Sequence, residues 1–440
     1  MRIPAIPGFD QSAFEKYFKN TGWLMLGRVG SLLIKMLVNI SVANYLGKEA
    51  FGTINNAYAF VVIFLSVAGL GLDQFIVREL VNAPGKKEGI LGTSVSLKLL
   101  AAVAVVPLIM VGYQLFPSRG TPSDFVFILS LTGLFQAFNV IDAFYQARVQ
   151  AKNIMLVNVF GNLLSAGLKL LFIFLQLPLI WFVVALLLDA AILAVGYISI
   201  YTVQKHKLLT WRFERSMAGH LLSKSWPLMF SAVLVTLYMK IDQVMIGRML
   251  GEAPLGVYST VVSLSEAWYF IPMAIVSSVF PAIITAKKQD EERYKKRLQN
   301  LYDLMVFISM SIALVMTFLA SWVYSGWLYD IEYAAGAPVL AIHVWAGVFV
   351  FLGVASGQYL INEGLTQLSL FRTAVGALVN IVLNLVLLPV FGISGAAWAT
   401  LIAYAFATFS IIFIPRTRPQ GIMMIKSLFL ISLVQKLNKR

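Results

Sequence analysis

The chain has 440 residues and no cysteine, which excludes thiolate metal sites, redox dithiols, disulfide scaffolds and cysteine nucleophiles. Histidine occurs three times, as His206, His220 and His343, far apart and in no zinc-ligand spacing. Charged residues are only 12% of the chain, about half their share in soluble domains. No polar interval is long enough to fold as a separate soluble domain. No G-x-x-x-x-G-K-[ST] cradle for a nucleotide is found. No small-residue cleavage site follows residues 1–20, so no removable signal peptide is expected. What is plentiful is apolar: the hydrophobic set reaches 59%, and mean hydropathy is +0.82. Its runs are ~20 residues or longer, the length that crosses a ~30 Å hydrocarbon core. Soluble and disordered classes are excluded.

Twelve membrane spans are predicted, at about 22–43, 55–77, 90–114, 123–146, 154–176, 179–203, 221–247, 257–283, 298–324, 337–359, 367–388 and 393–414. Short loops rich in Pro, Gly and Asn join them, as at Asn82-Ala83-Pro84-Gly85 and Phe116-Pro117-Ser118. Placing both termini in the cytoplasm puts 26 of the 34 basic residues on that side, counting with the loops Lys224 and Arg372, which fall at the inner ends of their predicted spans. Three fall on the other side and five deeper inside spans. That asymmetry is the positive-inside rule. The net charge of +14 is therefore topological, and nucleic acid is not a partner.

Two internal matches suggest a repeat. Leu46-Gly47-x4-Gly52 recurs as Leu250-Gly251-x4-Gly256, displaced by 204 residues. FGNLLSAGLKLLFIFLQLP (160–178) resembles FRTAVGALVNIVLNLVLLP (371–389), displaced by 211. Six spans per repeat keep both copies in one orientation, a parallel repeat. The expected organisation is an N-terminal six-helix lobe at 1–204, a cytoplasmic linker at 205–220, a C-terminal lobe at 221–416 and a basic amphipathic tail at 417–440. Short glycine turns recurring by chance are the alternative for either match alone, and a much weaker one for both together.

Ionisable groups inside spans are costly and must face a cavity or a partner. On the first span Arg28, Ser31, Lys35 and Asn39 form one stripe. The fifth repeats the device with Asn158, Asn162, Ser165 and Lys169; the seventh carries Lys240 and Asp242, the eighth Ser259, Ser263 and Glu266, the eleventh Asn380 and Asn384. Counted from the inner span starts, Lys35, Lys169 and Lys240 lie past the midplane. Such lysines suit a polyanionic ligand; alternatively each pairs with an acid, Lys240 with Glu266 and Lys169 with Asp189. Arg28, Lys35, Asn39, Asn162, Lys169 and Lys240 are the candidate substrate ligands. Asp242, Glu266, Asp73 and Asp189 are candidates for ion coupling or gating, with Asp73 also readable as an ordinary helix-end bridge. His343 reads as a polar-network or interfacial histidine rather than a proton relay, and Gly69, Gly71, Gly353 and Gly357 as close-packing positions. Pro272 is expected to kink the eighth span. No catalytic constellation, metal site or cofactor is called for.

VANYLGKEAFGTINNAYAFVVIFLSVAGLGLDQFIVREL (42–80) and IDQVMIGRMLGEAPLGVYSTVVSLSEAWYFIPMAIVSSVFPAI (241–283) resemble bacterial O-antigen-type polysaccharide flippases of the MOP exporter superfamily. The resemblance implies an all-α polytopic membrane protein of about twelve helices, two six-helix lobes in a MATE-like V. It implies alternating-access export of an undecaprenyl-pyrophosphate-linked oligosaccharide across the bacterial cytoplasmic (inner) membrane. A cationic lumen and coupling to H+ or Na+ follow from it, with Arg28 and the Asp242-Gln243 pair at matching positions. Lipid-linked oligosaccharide, membrane lipids and other polysaccharide-assembly membrane proteins are the implied partners. A cation-coupled multidrug antiporter of the same superfamily would carry an acid on the first span, which here is basic. A lipid II flippase usually has fourteen helices. A membrane polysaccharide polymerase or ligase would show a long outer loop, absent here.

Overall fold

The computed structural model describes residues 11–118, 120–287 and 290–432, and gives the backbone alone at 11–21, 24, 28, 74, 281 and 282. All regular secondary structure among the described residues is helical. In lipid only intra-segment bonding satisfies an isolated backbone, so long apolar runs must be helices. They are α1 (Gln11–Ala68), α2 (Leu72–Asn82), α3 (Lys87–Leu115), α4 (Ser123–Ser130), α5 (Thr132–Gln136), α6 (Val140–Ala147), α7 (Ala151–Phe174) and α8 (Leu179–Val203). There follow α9 (Arg215–Met249), α10 (Glu252–Glu266), α11 (Phe270–Lys287), α12 (Glu291–Trp322), α13 (Gly336–His343), α14 (Ala346–Asn362), α15 (Thr366–Phe409) and α16 (Arg418–Leu428).

Among the described residues, ten helical segments are long and apolar enough to cross a membrane. Two of them, Met25–Ala68 and Thr366–Phe413, have 44 and 48 residues, about twice the ~20 one crossing needs. Each is interrupted by a glycine outside helical geometry, Gly47 (φ 74°, ψ 164°) and Gly392 (φ 55°, ψ −142°). A Cβ on Gly395 would stand 2.3 Å from the Leu387 carbonyl oxygen, although eight residues of straight helix span ~12 Å. The chain therefore doubles back at Gly392. Splitting both long segments gives twelve crossings, the number expected, and a multi-pass membrane protein.

Several crossings are built in pieces. The second bends at Gly71 (φ 64°), where a Cβ would lie 2.3 Å from the Met229 amide nitrogen, so a close-packed glycine is required. The fourth comprises α4, α5 and α6. The eighth breaks between α10 and α11, whose gap includes Trp268, four residues before Pro272. Pro272 has no amide to give the Trp268 carbonyl, which accepts instead from the Ile271 amide at 3.0 Å, so the helix is interrupted where the kink is predicted.

The helices gather into two compact units. One holds the described residues up to Leu46 together with Asn56–Thr236; the other holds Gly47–Asn55 and the described residues from Leu237 onward. Leu72, Ile76, Ile90, Val140, Phe144 and Tyr201 are central to the first core. Tyr302, Met305, Phe351, Leu352, Ile411 and Met424 are central to the second. The segment between α8 and α9 lies against the start of α3, with the Arg212 amide donating to the Glu88 carbonyl at 3.3 Å and the Glu214 amide to Thr93 Oγ1 at 3.0 Å. Part of the basic tail is α16, fastened to the second unit. Gln420 Nε2 donates to Tyr302 Oη at 2.8 Å, and Ser427 Oγ donates to Asp303 Oδ1 at 2.6 Å.

Candidate functional site

In the first unit, α1, α7 and α8 bring their polar stripes together. Lys169 Nζ lies 2.5 Å from Asp189 Oδ2, and Ser165 Oγ donates to Asp189 Oδ1. One helical turn apart on α7, Ser165 and Lys169 both reach α8 because i and i+4 share a face. Lys35 on α1 is exposed at the protein surface and stands in the electrostatic fields of both Asp189 and Lys169. The one carboxylate is taken by Lys169, and among the described residues Lys35 makes no ion pair within 4 Å. Around them, Asn162 is buried, Asn158 Oδ1 accepts from Tyr197 Oη at 3.0 Å, and Ser31 Oγ is enclosed with no hydrogen-bond partner. Asn39 is half-buried on α1. The side chain of Arg28, the remaining member of that stripe, lies outside the described residues.

Asp73, at the start of α2, is paired with Lys98 of α3. The lysine side chain is 5% exposed and the aspartate 63%, so the carboxylate neutralises a cation that α3 carries into the interior. The helix-end bridge is formed.

The second unit holds a different arrangement. Asp242 is buried, and its oxygens are satisfied by neutral donors: Oδ1 by the Gln243 amide at 2.8 Å, Oδ2 by Tyr258 Oη at 2.5 Å and Thr400 Oγ1 at 3.4 Å. Asn380 Nδ2 lies 3.4 Å from the same threonine oxygen, and Asn384 Nδ2 donates to Asn380 Oδ1 at 2.9 Å. Lys240, half-buried on α9, acts on Asp242, Glu266 and His343 through its field. Among the described residues it makes no ion pair within 4 Å, so the Lys240–Glu266 bridge considered from the sequence is not formed. His343 Nδ1 lies 2.8 Å from Ser265 Oγ, the expected network position.

Sequence reasoning paired Lys169 with Asp189 and grouped Asn380 with Asn384, but missed Tyr258 and Thr400 as the partners of Asp242. They sit 16 and 158 residues away, and no local periodicity marks them. It also counted Arg372 with the cytoplasmic loops, whereas that residue lies inside α15 with its head against α14.

The family model described as "Polysaccharide biosynthesis protein" matches residues 17–287, and the MatE model matches residues 227–386. The capsular polysaccharide biosynthesis protein CapF of Staphylococcus aureus is 23% identical over 399 residues, covering 86% of this chain and 94% of that protein. The probable flippase AglR of Haloferax volcanii is 29% identical over 175 residues, 38% of this chain and 35% of that one. Among solved structures, a multidrug resistance MATE family transporter of the MOP superfamily superposes with a TM-score of 0.75 at 15% identity, covering 92% of this chain and 96% of that one. The lipid II flippase MurJ superposes with a TM-score of 0.68 at 16% identity, over 93% and 92%. With a family model spanning more than half its length, the chain belongs to the polysaccharide biosynthesis protein family, on a fold shared with these transporters.

Proposed function

We propose that this protein is a flippase that moves an undecaprenyl-pyrophosphate-linked oligosaccharide, the repeat unit of a surface polysaccharide, from the cytoplasmic to the outer leaflet by alternating access. The observation that carries the reading is the Lys169–Asp189 pair on α7 and α8 beside Lys35 of α1, a second basic side chain in the same membrane-spanning unit with no ion pair of its own among the described residues. A diphosphate entering lipid needs positive charge there, and sugar hydroxyls need amide and hydroxyl partners such as Asn158, Asn162 and Ser31. Relatives named for capsular polysaccharide biosynthesis and glycan flipping support it. Translocation needs no covalent step, so the protein acts as a transporter and not as an enzyme. Two six-helix lobes, at 1–204 and 221–416, would rock about the bound substrate. Asp242 and Glu266 would exchange H+ or Na+ during the cycle, and Asp73 and Asp189 would hold or release cations as gates. The excess of basic residues on one side supports a cytoplasmic-membrane protein with both termini inside.

Deleting the gene and analysing surface glycan with lipid-linked intermediates tests the reading. Accumulated lipid-linked oligosaccharide with loss of surface glycan is the expected result. Unchanged glycan with altered drug tolerance would replace it with the antiporter.

A further inference from the structure

Arg372 sits in the second turn of α15, six residues after Thr366. An arginine near the end of a membrane helix normally extends its charged head toward the interface. This one does not. Its Nη1 donates to Ser356 Oγ at 2.9 Å and its Nη2 to the Gly353 carbonyl at 2.7 Å. Those residues lie six and nine positions before Asn362, the last residue of α14, about 9 to 14 Å from that helix end. The guanidinium is therefore held level with its own backbone or deeper. Space for it comes from glycine: a Cβ on Gly357 would stand 3.1 Å from Nη2. Gly357, readable from sequence as a helix-packing position, accommodates the cation, while a Cβ on Gly353 would meet Thr408 Oγ1 of α15 at 3.6 Å, the packing position expected.

Among the described residues no carboxylate balances that cation: Arg372 has no ion pair, and the ionisable groups whose fields reach it are the phenols Tyr302 and Tyr238. Both of its acceptors are neutral. Beside it, Gln420 spends its amide nitrogen on Tyr302 and Ser356 and leaves Oε1 buried and unpartnered. Uncompensated charge inside a membrane protein marks a ligand path. An arginine fork fits the paired oxygens of a phosphate.

We propose that Arg372 is an anion-binding residue of the second unit that holds a phosphate oxygen of the transported lipid diphosphate. The assignment rests on the flippase reading above and adds a ligand residue to it. Arg372 serves as a charged contact, with Ser356 and the Gly353 carbonyl aiming its head.

The test uses the full chain in phosphatidylcholine nanodiscs, with undecaprenyl diphosphate as probe and undecaprenol as its uncharged control. Arg372→Gln should weaken diphosphate binding at least about tenfold, flatten its salt dependence and leave undecaprenol binding unchanged. Arg372→Lys should fall between, and inorganic pyrophosphate should compete with the wild type. Ser356→Ala removes the tether but not the charge, and should retain most of the affinity and salt dependence. Wild-type affinity in Arg372→Gln would overturn the proposal. Equal losses in Arg372→Gln and Ser356→Ala with unchanged salt dependence would also do so, reducing Arg372 to a staple between α14 and α15. Competition by phosphatidylglycerol in the disc but not by pyrophosphate would assign the site to a lipid headgroup and overturn the substrate contact. A gene deletion that leaves glycan unchanged, with pyrophosphate still bound through Arg372, would end the flippase reading and keep the anion site. Normal binding and export in Arg372→Gln would end this inference alone.

Discussion

Gly52 and Gly256 meet backbone to backbone. A Cβ on Gly52 would stand 1.8 Å from the Glu252 carbonyl oxygen, and one on Gly256 would stand 1.8 Å from that of Lys48. The two glycines close the matching Leu-Gly-x4-Gly motifs, so the sequence repeat is realised as a reciprocal contact. Backbone cannot step aside as a flexible side chain can. Gly52→Ala and Gly256→Ala should each destabilise by at least ~1–3 kcal/mol, the range of core overpacking. Gly219→Ala on α9, with nothing within 4 Å, should be neutral or stabilising by up to ~1 kcal/mol. Thermal unfolding in detergent checks all three, and wild-type melting in Gly52→Ala would contradict the contact.

Lys169 and Asp189 are 16% and 27% exposed at the side chain, so their pair is screened only in part. Removing one partner of a fully buried pair costs ~3–5 kcal/mol; with this exposure about 1–3 is expected for Asp189→Asn. The loss should be relieved when Lys169→Met is added, since the lone cation is then gone. A double-mutant cycle on melting measures the coupling. Additive effects would show that the pair is incidental.

For coupling, Glu266→Gln and Asp242→Asn separate two roles. Each should weaken the response of vesicle transport to an imposed proton or sodium gradient. Tyr258→Phe, which removes one donor from Asp242, should shift that response without abolishing it. A variant that keeps the wild-type gradient response is removed from the coupling machinery.

His206 follows α8 and lies outside the spans. Its pKa is held below the ordinary histidine value by burial first, then by Arg148 and Lys87, with Glu88 opposing. Its ring stands 4.9 Å from Tyr201 and 5.1 Å from Phe144 between centroids. A lowered folded pKa means the unfolded chain binds the proton more readily. The stability from neutral His206 is therefore present above the ordinary value and lost as pH falls through the lowered one. Arg148→Gln should raise the titration midpoint seen by NMR of labelled histidine. An unmoved midpoint would remove Arg148 as a cause.

The spans were legible because hydropathy is summed over ~20 residues, and single errors average out. Their interruptions were legible only where a residue forces them, as at Pro272, Gly47 and Gly392. The break between α13 and α14, at Val344-Trp345, carries no proline or glycine, so packing decides it. Candidate cations were legible because charge in an apolar run is conspicuous. Their partners were not, except where composition left little choice: Asp189 is the one acid of the sixth span, which made its pairing with Lys169 readable. Arg372 shows the limit in the other direction. Near a predicted boundary a basic residue reads as topology, and only the fold shows its head turned onto Gly353.

The first span supplies the sharpest test of mechanism. Arg28 and Lys35 lie seven residues apart on one stripe, and their span carries no carboxylate. The acid whose field reaches Lys35 is Asp189, already bonded to Lys169. Inserting a basic residue into a helix centre costs ~2.5–3.5 kcal/mol on translocon scales, so a diphosphate that neutralises the stripe gains strongly. An arginine fork adds geometric selectivity, while lysine acts as a point charge. Arg28→Ala should abolish glycan export, and Arg28→Lys should retain part of it. Lys35→Ala should reduce export and Lys35→Arg should be tolerated, all with normal membrane insertion. Surface-glycan complementation in a deletion strain, with protein levels checked by blot, measures each. Full complementation by the Arg28→Ala/Lys35→Ala double variant would sink the mechanism, because no other cation on that span remains to hold the phosphates.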